Sequence, residues 1–173
     1  MKTTPEVRTP PNTRHMRIGV TGASGFIGSA LCRTLADNGI TVLRLVRHES
    51  PVGCEVTWNP KESFEPDSRL ERLDAIVHLA GAGIAAQRWT PARREILLRS
   101  RVDGTRFLVE ALQRLHHPPA AFIQASGIGL YGNRGDEILT EDSPRGEGFL
   151  PGLVSAWEKA SEPIERSDTR RVC

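Results

Sequence analysis

Short apolar runs along the chain alternate with longer segments in which apolar residues recur every three or four positions. Apolar runs rich in β-branched residues predict strands of a parallel sheet, and the longer periodic segments predict amphipathic helices. The runs predict strands at Met16–Thr21, Ile40–Val46, Glu55–Trp58, Asp74–Ala80 and Ala120–Ala125. The periodic segments predict helices at Phe26–Asn38, Pro91–Leu115 and Leu150–Arg166. This alternation predicts an α/β fold, a doubly wound parallel sheet with helices on its faces.

The pattern does not extend over the first 15 residues, which hold three prolines and no apolar block. We expect a disordered extension over residues 1–15, with a targeting segment as the alternative, and one domain over residues 16–173. The sixth strand that is usual in such sheets would start near Arg171. We therefore expect an incomplete sheet whose fifth strand is an open edge, and self-association through that edge.

Composition narrows the range of partners. The formal net charge is only +2, with a quarter of the residues charged, so no strong field for nucleic acid or a membrane surface is expected. No apolar run reaches the roughly 20 residues that cross a bilayer. The three cysteines are scattered without metal-ligand spacing. We expect a cytoplasmic protein with reduced thiols and no metal, acting on a small molecule rather than on nucleic acid or a membrane.

A glycine motif joins the first strand to the first helix. Its sequence is Thr21-Gly22-Ala23-Ser24-Gly25-Phe26-Ile27-Gly28. Gly22 allows a sharp turn, Gly25 allows close approach of a pyrophosphate, and Gly28 allows the helix to pack near the sheet. The helix N-terminus adds unpaired N–H groups and the positive end of its dipole. Three glycines in this context predict a dinucleotide-binding loop, with an ordinary strand–helix turn as the alternative.

The end of the second strand indicates which dinucleotide is preferred. It reads Arg44-Leu45-Val46-Arg47-His48, and no acidic residue occurs before Glu49. Enzymes that bind NAD usually place an acidic residue on the ribose 2′-hydroxyl, about 20 residues past the glycines. A guanidinium at Arg47 would instead pair with the 2′-phosphate of NADP. The sequence therefore predicts NADP over NAD, with a solvated surface arginine as the alternative.

Further segments carry a specific resemblance. They are His78-Leu79-Ala80-Gly81-Ala82, Arg88-Trp89-Thr90, Ser100-Arg101-Val102-x-Gly104-Thr105, the Gly-x-Tyr-Gly at 129–132 and Trp157-Glu158-Lys159-Ala160. With the glycine motif, they resemble the extended (atypical) short-chain dehydrogenase/reductase superfamily of the NAD-dependent epimerase/dehydratase type. Within it, the chain is similar to the epimerase-like subfamily labelled SDR39U, over Met16 to Val172. Such proteins are longer, so the resemblance implies a truncated Rossmann fold that lacks the C-terminal substrate-binding portion.

The resemblance also implies which residues contact NADP. It assigns contacts to the glycine loop, the end of the second strand, the end of the fourth strand and the helix that follows. We expect Glu95 and Arg101, both on this helix, to face one crevice. The alternatives are core packing for Leu79 and Ala80 and a solvated helix face for Glu95 and Arg101. The implied contacts are Gly22, Ser24, Gly25, Phe26, Ile27, Gly28, Val46, Arg47, Leu79, Ala80, Gly81, Glu95 and Arg101.

The sequence indicates the catalytic residues less clearly than the cofactor contacts. The superfamily usually combines a Ser or Thr near the end of the fifth strand with Tyr-x-x-x-Lys on the next helix, where the lysine lowers the tyrosine pKa. The only tyrosine is Tyr131, and Gly135 occupies the position of the lysine. Ser126 and Tyr131 are therefore the catalytic candidates, with loop architecture as the alternative. His78 is expected to be a packed, hydrogen-bonded histidine rather than a base, and Cys32 a small buried thiol.

Two hypotheses about function follow. The first is an NADP-dependent oxidoreductase or epimerase-like domain whose substrate is unidentified, with a sugar nucleotide as the candidate class. The second is an NADP-binding module without turnover, acting as a sensor or interaction protein, or a truncated relic. The absence of a Tyr-x-x-x-Lys motif favours the second hypothesis. The complete cofactor-binding pattern supports the first hypothesis only with respect to cofactor binding.

Overall fold

The computed structural model describes residues 16–47 and 53–173. The extension predicted over residues 1–15 lies outside the described residues, as do residues 48–52 after the second strand. The strands are β1 (Arg17–Thr21), β2 (Thr41–Val46), β3 (Glu55–Thr57), β4 (Ala75–His78), β5 (Ala121–Gln124) and β6 (Arg170–Val172). The helices are α1 (Phe26–Asp37), α2 (Pro91–Gln113) and α3 (Phe149–Ser161).

The six strands form one all-parallel sheet in the order β3-β2-β1-β4-β5-β6. The chain builds outward from β1 to β3 and then returns to place β4 on the other side of β1. Thr21 at the end of β1 is level with Leu45 of β2 and His78 of β4. This reversal point, at the carboxyl ends of the strands, is where open α/β sheets bind ligands.

Two hydrophobic clusters cover the two faces of the sheet. One face packs against α1, through a cluster that includes Val20 and the buried Cys32. The other packs against α2, through a cluster that includes Ile76, Leu108 and Phe122. The predicted doubly wound α/β fold and the predicted burial of Cys32 are thus confirmed, and this burial raises the pKa of the Cys32 thiol. No helix in the described ranges is long and apolar enough to span a membrane.

The expectation that β5 is an open edge is wrong. β6 pairs in parallel with β5, from Ala121 opposite Arg170 to Ile123 opposite Val172. The backbone N–H of Arg170 donates to the carbonyl of Ala120 at 3.0 Å. The hydroxyl of Thr169 donates to the carbonyl of Pro119 at 2.7 Å and fixes the entry to β6. The edge on this side of the described sheet is therefore β6.

Two helix ends differ from the sequence prediction by more than one residue. α3 ends at Ser161, and residues Glu162–Arg166 continue as a 3₁₀ turn that contains Pro163. Proline removes a backbone donor and disfavours a continued α-helix, which explains the earlier end. α2 ends at Gln113, two residues before the predicted end.

The start and the middle of α2 are as the sequence indicates. Thr90 caps the helix, its hydroxyl oxygen accepting from the Arg93 N–H at 3.2 Å, and Pro91 follows in the first helical turn. Gly104 lies in the helix interior, where a Cβ would be 3.2 Å from the Cβ of Pro60. Close packing explains this glycine, because any side chain would push against the segment that follows β3.

Candidate cofactor-binding cleft and adjoining cavity

The glycine loop between β1 and α1 has a backbone that tolerates no side chain at two positions. Gly22 has φ of +67°, and a Cβ there would lie 2.9 Å from the backbone of Leu79. At Gly28 a Cβ would lie 2.1 Å from the carbonyl oxygen of Gly22. The first and third glycines of the motif therefore bring β1, β4 and α1 into close contact, as the sequence predicts.

The N-terminus of α1 has no side-chain cap. Gly25 is its N-cap residue and offers no capping side chain. Gly25 is also exposed, and its backbone N–H donates to the carbonyl of Gly22 at 2.9 Å. The first N–H groups of α1 thus have no competing side-chain acceptor, and the N-cap residue Gly25 lines a large cavity, an arrangement suited to a phosphate at a helix N-terminus.

A cavity of about 1210 Å³ extends from this loop across the carboxyl ends of β1, β2 and β4 to α2. Most of the residues proposed as cofactor contacts line it. Phe26 and Ile27 do not; they are exposed at 95% and 66% on the outer side of the α1 N-terminus. Gly28 is buried beneath the loop. The proposed contacts that line the cavity are Gly22, Ser24, Gly25, Val46, Arg47, Leu79, Ala80, Gly81 and Glu95.

The end of the cavity near β2 is rich in guanidinium groups. Arg44 and Arg47 both line it, and both are exposed. Glu55 of β3 also lines this end and is level with Arg44 in the sheet. Sequence analysis named only Arg47. Arg44, inside β2, was not among the predicted contacts; it also interacts with the Cys32 thiol of α1.

Thr21 ties the end of β1 to the end of β4. Its hydroxyl oxygen accepts from the backbone N–H groups of Leu79 at 3.1 Å and Ala80 at 3.2 Å. With both acceptor positions used, the Thr21 hydroxyl donates its proton to Nδ1 of His78, 2.7 Å away. Two residues that line the cavity, Leu79 and Ala80, are therefore fixed through a buried threonine at the base of the glycine motif.

His78 extends this network to the helices. With Nδ1 accepting, the proton of the neutral ring lies on Nε2, which donates to the Thr105 hydroxyl of α2 at 2.9 Å. Nε1 of Trp157 in α3 donates to the same hydroxyl oxygen at 3.0 Å. Burial lowers the pKa of His78 to about 3, so the ring is neutral at physiological pH. The prediction of a packed, hydrogen-bonded histidine is confirmed.

Glu95 and Arg101 do not face one crevice, contrary to expectation. Glu95 is exposed, lines the large cavity and forms an ion pair with Arg99. Arg101 is buried and lines a second cavity. Six residues rotate a helix by about 600°, which leaves the two side chains about 120° apart around α2.

Arg101 lies at the junction of the two cavities. Its Nη1 donates to the carbonyl of Ala82 at 3.0 Å, and its guanidinium lies over the ring of Trp157 at 5.1 Å. On the other side it touches Gly81, where a Cβ would be 3.2 Å from its Cζ. Burial, and to a smaller extent the charge of Arg93, lowers the pKa of Arg101.

The second cavity, of about 500 Å³, adjoins the end of β5. Ser126 lines it, and the Ser126 hydroxyl donates to the carboxylate of Glu158 in α3. Tyr131 is half-buried in the 3₁₀ turn Ile128–Tyr131 and lines neither of these two cavities. Sequence analysis missed Glu158 because 32 residues separate it from Ser126, and only packing brings them together.

The face of α3 toward the second cavity is apolar. Leu150 and Val154 of α3 line the cavity one helical turn apart, and α3 contains no tyrosine. Over the described ranges, no group of three His, Cys, Asp or Glu residues is arranged to hold a metal ion.

Comparison with known proteins supports one family. The model of the NAD dependent epimerase/dehydratase family matches residues 18–149. An epimerase family protein of Mycobacterium bovis is 38% identical over 156 residues, which are 90% of this chain and 51% of that protein. The human epimerase family protein SDR39U1 is 32% identical over 160 residues, 91% of this chain and 52% of that protein. The chain thus spans about half the length of these curated relatives.

Solved structures agree with this assignment. The crystal structure of human SDR39U1 (isoform 2) with NADPH has a TM-score of 0.76 and 31% identity, covering 90% of this chain and 52% of that one. A nucleoside-diphosphate sugar epimerase from Corynebacterium glutamicum has a TM-score of 0.74 and 35% identity, covering 90% and 32%. MoeE5 in complex with UDP-glucose and NAD has a TM-score of 0.71 and 26% identity, covering 90% and 52%. Sequence, sheet order and glycine loop agree, and the chain belongs to the NAD-dependent epimerase/dehydratase family.

Proposed function

We propose that this chain binds NADP(H) in the large cavity and forms the cofactor-binding part of an epimerase or oxidoreductase. One observation carries the proposal: the uncapped N-terminus of α1 opens into a cavity of about 1210 Å³ that ends at Arg44 and Arg47. The helix N-terminus suits a pyrophosphate, and the arginines that line this end of the cavity suit a further phosphate at the adenosine end.

The residues present fit the cofactor along its whole length. Gly25 offers a bare backbone for the pyrophosphate, and Arg47 offers donors for the 2′-phosphate. Leu79, Ala80 and Gly81 line the opposite end of the cavity, where the nicotinamide would lie beside β4. When bound, the nicotinamide gives or accepts a hydride at a carbon of the substrate. The NADPH in the human SDR39U1 structure supports NADP, whereas the NAD in MoeE5 shows that structural neighbours use both dinucleotides.

For the substrate side, we propose a molecule with a carbonyl or alcohol carbon next to the nicotinamide. A sugar nucleotide is the candidate class, supported by the nucleoside-diphosphate sugar epimerase among the structural neighbours. Ser126 supplies a hydroxyl that follows β5 and lines the second cavity, hydrogen-bonded to Glu158. Tyr131 is the weaker candidate, since it lines neither of the two cavities.

A module that binds NADP without turnover is the second candidate function. The observation that favours it is the apolar face of α3 toward the second cavity, with Leu150 and Val154, on a helix that has no Tyr-x-x-x-Lys. Turnover of NADPH with a carbonyl substrate would exclude this candidate, and both candidates require that the cavity binds the dinucleotide.

The binding site is tested by Gly25→Val, with Gly83→Val as the matched control. A valine at Gly25 fills the space that a pyrophosphate needs, so we expect NADPH affinity to fall below detection by calorimetry. Gly83 lies in an exposed loop, where a Cβ would be in ordinary contact at 3.6 Å from the Cβ of Ala86, so its variant should bind NADPH like the wild type. Thermal melts establish that both variants fold. Unchanged NADPH affinity in folded Gly25→Val would contradict binding at this loop.

A further inference from the structure

Two series of buried contacts meet at one hydroxyl, that of Thr105 in α2. Thr105 is completely buried and lines neither of the two cavities. Its oxygen accepts from Nε2 of His78 at 2.9 Å and from Nε1 of Trp157 at 3.0 Å. A hydroxyl oxygen has two acceptor positions, so these two bonds use both of them. Thr105 therefore joins β4 to α3 at a single atom.

The first series, the His78 branch, runs from Thr105 through His78 to Thr21. Because Nε2 of His78 donates to Thr105, Nδ1 accepts from the Thr21 hydroxyl. The Thr21 oxygen then accepts from the backbone N–H groups of Leu79 and Ala80. A buried Nε2–H without an acceptor is unfavourable, so loss of the Thr105 hydroxyl favours the tautomer with the proton on Nδ1. That N–H competes with Leu79 and Ala80 for the Thr21 oxygen, which has only two acceptor positions.

The second series, the Trp157 branch, runs from Thr105 through Trp157 to Arg101. With its Nε1 held by Thr105, the indole ring of Trp157 lies 5.1 Å from Cζ of Arg101. Nη1 of Arg101 donates to the carbonyl of Ala82 at 3.0 Å. The guanidinium also packs against Gly81, where a Cβ would lie 3.2 Å from Cζ. The orientation of Trp157 therefore fixes the group that holds Gly81 and Ala82.

Both branches end on one short segment after β4. Its four consecutive residues all line the large cavity, at the end proposed for the nicotinamide. The His78 branch holds the first two residues, and the Trp157 branch holds the last two. Arg47, at the adenosine end of the cavity, belongs to neither branch. The residues of this segment, called the 79–82 segment, are Leu79, Ala80, Gly81 and Ala82.

We propose that Thr105 is a positioning residue for the cofactor, which acts through His78 and Trp157 on the 79–82 segment. This inference rests on the proposed function, because it takes the nicotinamide half of NADP(H) as the ligand of that segment. A wall that is already oriented loses little entropy on binding, so a fixed segment strengthens binding of the nicotinamide half. The adenosine half gains nothing from Thr105, whereas a hydroxyl that served only the stability of the fold would affect both halves.

Thr105→Val and Thr105→Ser, each titrated with NADPH and with adenosine 2′,5′-bisphosphate, test the proposal. The bisphosphate carries the adenosine and its 2′-phosphate but no nicotinamide. Valine has the shape of threonine without the hydroxyl, so we expect calorimetry to show NADPH binding weakened by about tenfold or more and bisphosphate binding unchanged. Serine keeps the hydroxyl and should restore NADPH affinity to within about threefold of the wild type.

Thr34→Val, at an exposed threonine of α1, is the matched control and should bind both ligands like the wild type. Three results would overturn the proposal. They are unchanged NADPH affinity in Thr105→Val, an equal loss of affinity for both ligands, and a serine variant that binds NADPH as weakly as the valine variant.

A measurement on the wild-type chain decides the matter if Thr105→Val does not fold. The indole N–H signal of Trp157 in the nuclear magnetic resonance spectrum, assigned with Trp157→Phe, should shift with NADPH and stay in place with the bisphosphate. NADPH binding that leaves this signal in place overturns the positioning role alone. Wild type that binds neither ligand contradicts the proposed function, and the positioning role with it.

Discussion

At the scale of single residues, the buried histidine of β4 makes the stability of the fold depend on pH. His78 is fully buried between the hydroxyls of Thr21 and Thr105, and burial lowers its pKa from 6.5 to about 3. The unfolded chain therefore takes up a proton below pH 6.5 that the folded chain does not. The contribution of neutral His78 to stability is complete above pH 6.5 and is lost as the pH falls toward 3.

We expect the free energy of unfolding of the wild type to fall between pH 6 and 4 more steeply than that of His78→Gln. The extra slope is at most about 1.4 kcal/mol per pH unit. Urea unfolding at a series of pH values measures it. His116→Gln, at an exposed histidine, is the control and should keep the wild-type slope. Identical slopes for wild type and His78→Gln would show that His78 does not carry this pH dependence.

The contacts of individual residues also explain why the site was only partly predictable from the sequence. The glycine loop and the end of β4 are local patterns, so Gly22, Gly25 and Leu79 could be named from their neighbours in the chain. The contacts of Ser126 with Glu158 and of Arg101 with Trp157 join α3 to distant segments. Nothing in the local spacing encodes such pairs, because they depend on how the helices pack on the sheet.

At the scale of elements, the strands with long apolar runs were predicted and β6 was missed. β1 and β4 are buried central strands with nearly continuous apolar sequences, and β2 carries apolar residues on both sides of the exposed Arg44. β6 has the sequence Arg170-Arg171-Val172. It is an edge strand that buries only one face, and two of its three residues are charged. Its place is fixed instead by the Thr169 hydroxyl and by backbone bonds to β5, which are tertiary contacts.

β6 gives an element-scale prediction about self-association. The Arg170 N–H points to β5, so by the alternation of a strand the Arg171 N–H points to the open edge. We expect the 173-residue polypeptide to associate reversibly through this edge in sedimentation experiments under reducing conditions, and Arg171→Pro to weaken the association severalfold by removing that donor.

Arg171→Ala is the matched control for this prediction. Both variants lose the ion pair between Arg171 and Glu165, but only the proline variant loses the N–H. The alanine variant should therefore associate like the wild type. A wild-type chain that stays monomeric at all concentrations, or equal effects of the two variants, would refute association through β6.

At the scale of the whole molecule, the chain contains the cavity proposed for the cofactor and spans about half the length of its curated relatives. The cleft lies at the point where the sheet order reverses between β1 and β4, and both sides of that point are within the described residues. Cofactor binding and substrate turnover are therefore separable questions for this chain. The proposed function requires cofactor binding, whereas turnover depends on the residues around Ser126.

Calorimetric titration with NADPH and NADH tests whether the large cavity binds NADP(H) with Arg47 on the 2′-phosphate, as proposed. A charge-assisted hydrogen bond contributes about 1.5–3 kcal/mol. Wild type should thus prefer NADPH roughly tenfold to a hundredfold. Arg47→Ala should lose most of this preference with little change for NADH, and Arg166→Ala, an exposed arginine outside the cleft, should keep it. Equal wild-type affinities for NADPH and NADH, or an unchanged preference in Arg47→Ala, would contradict the claim.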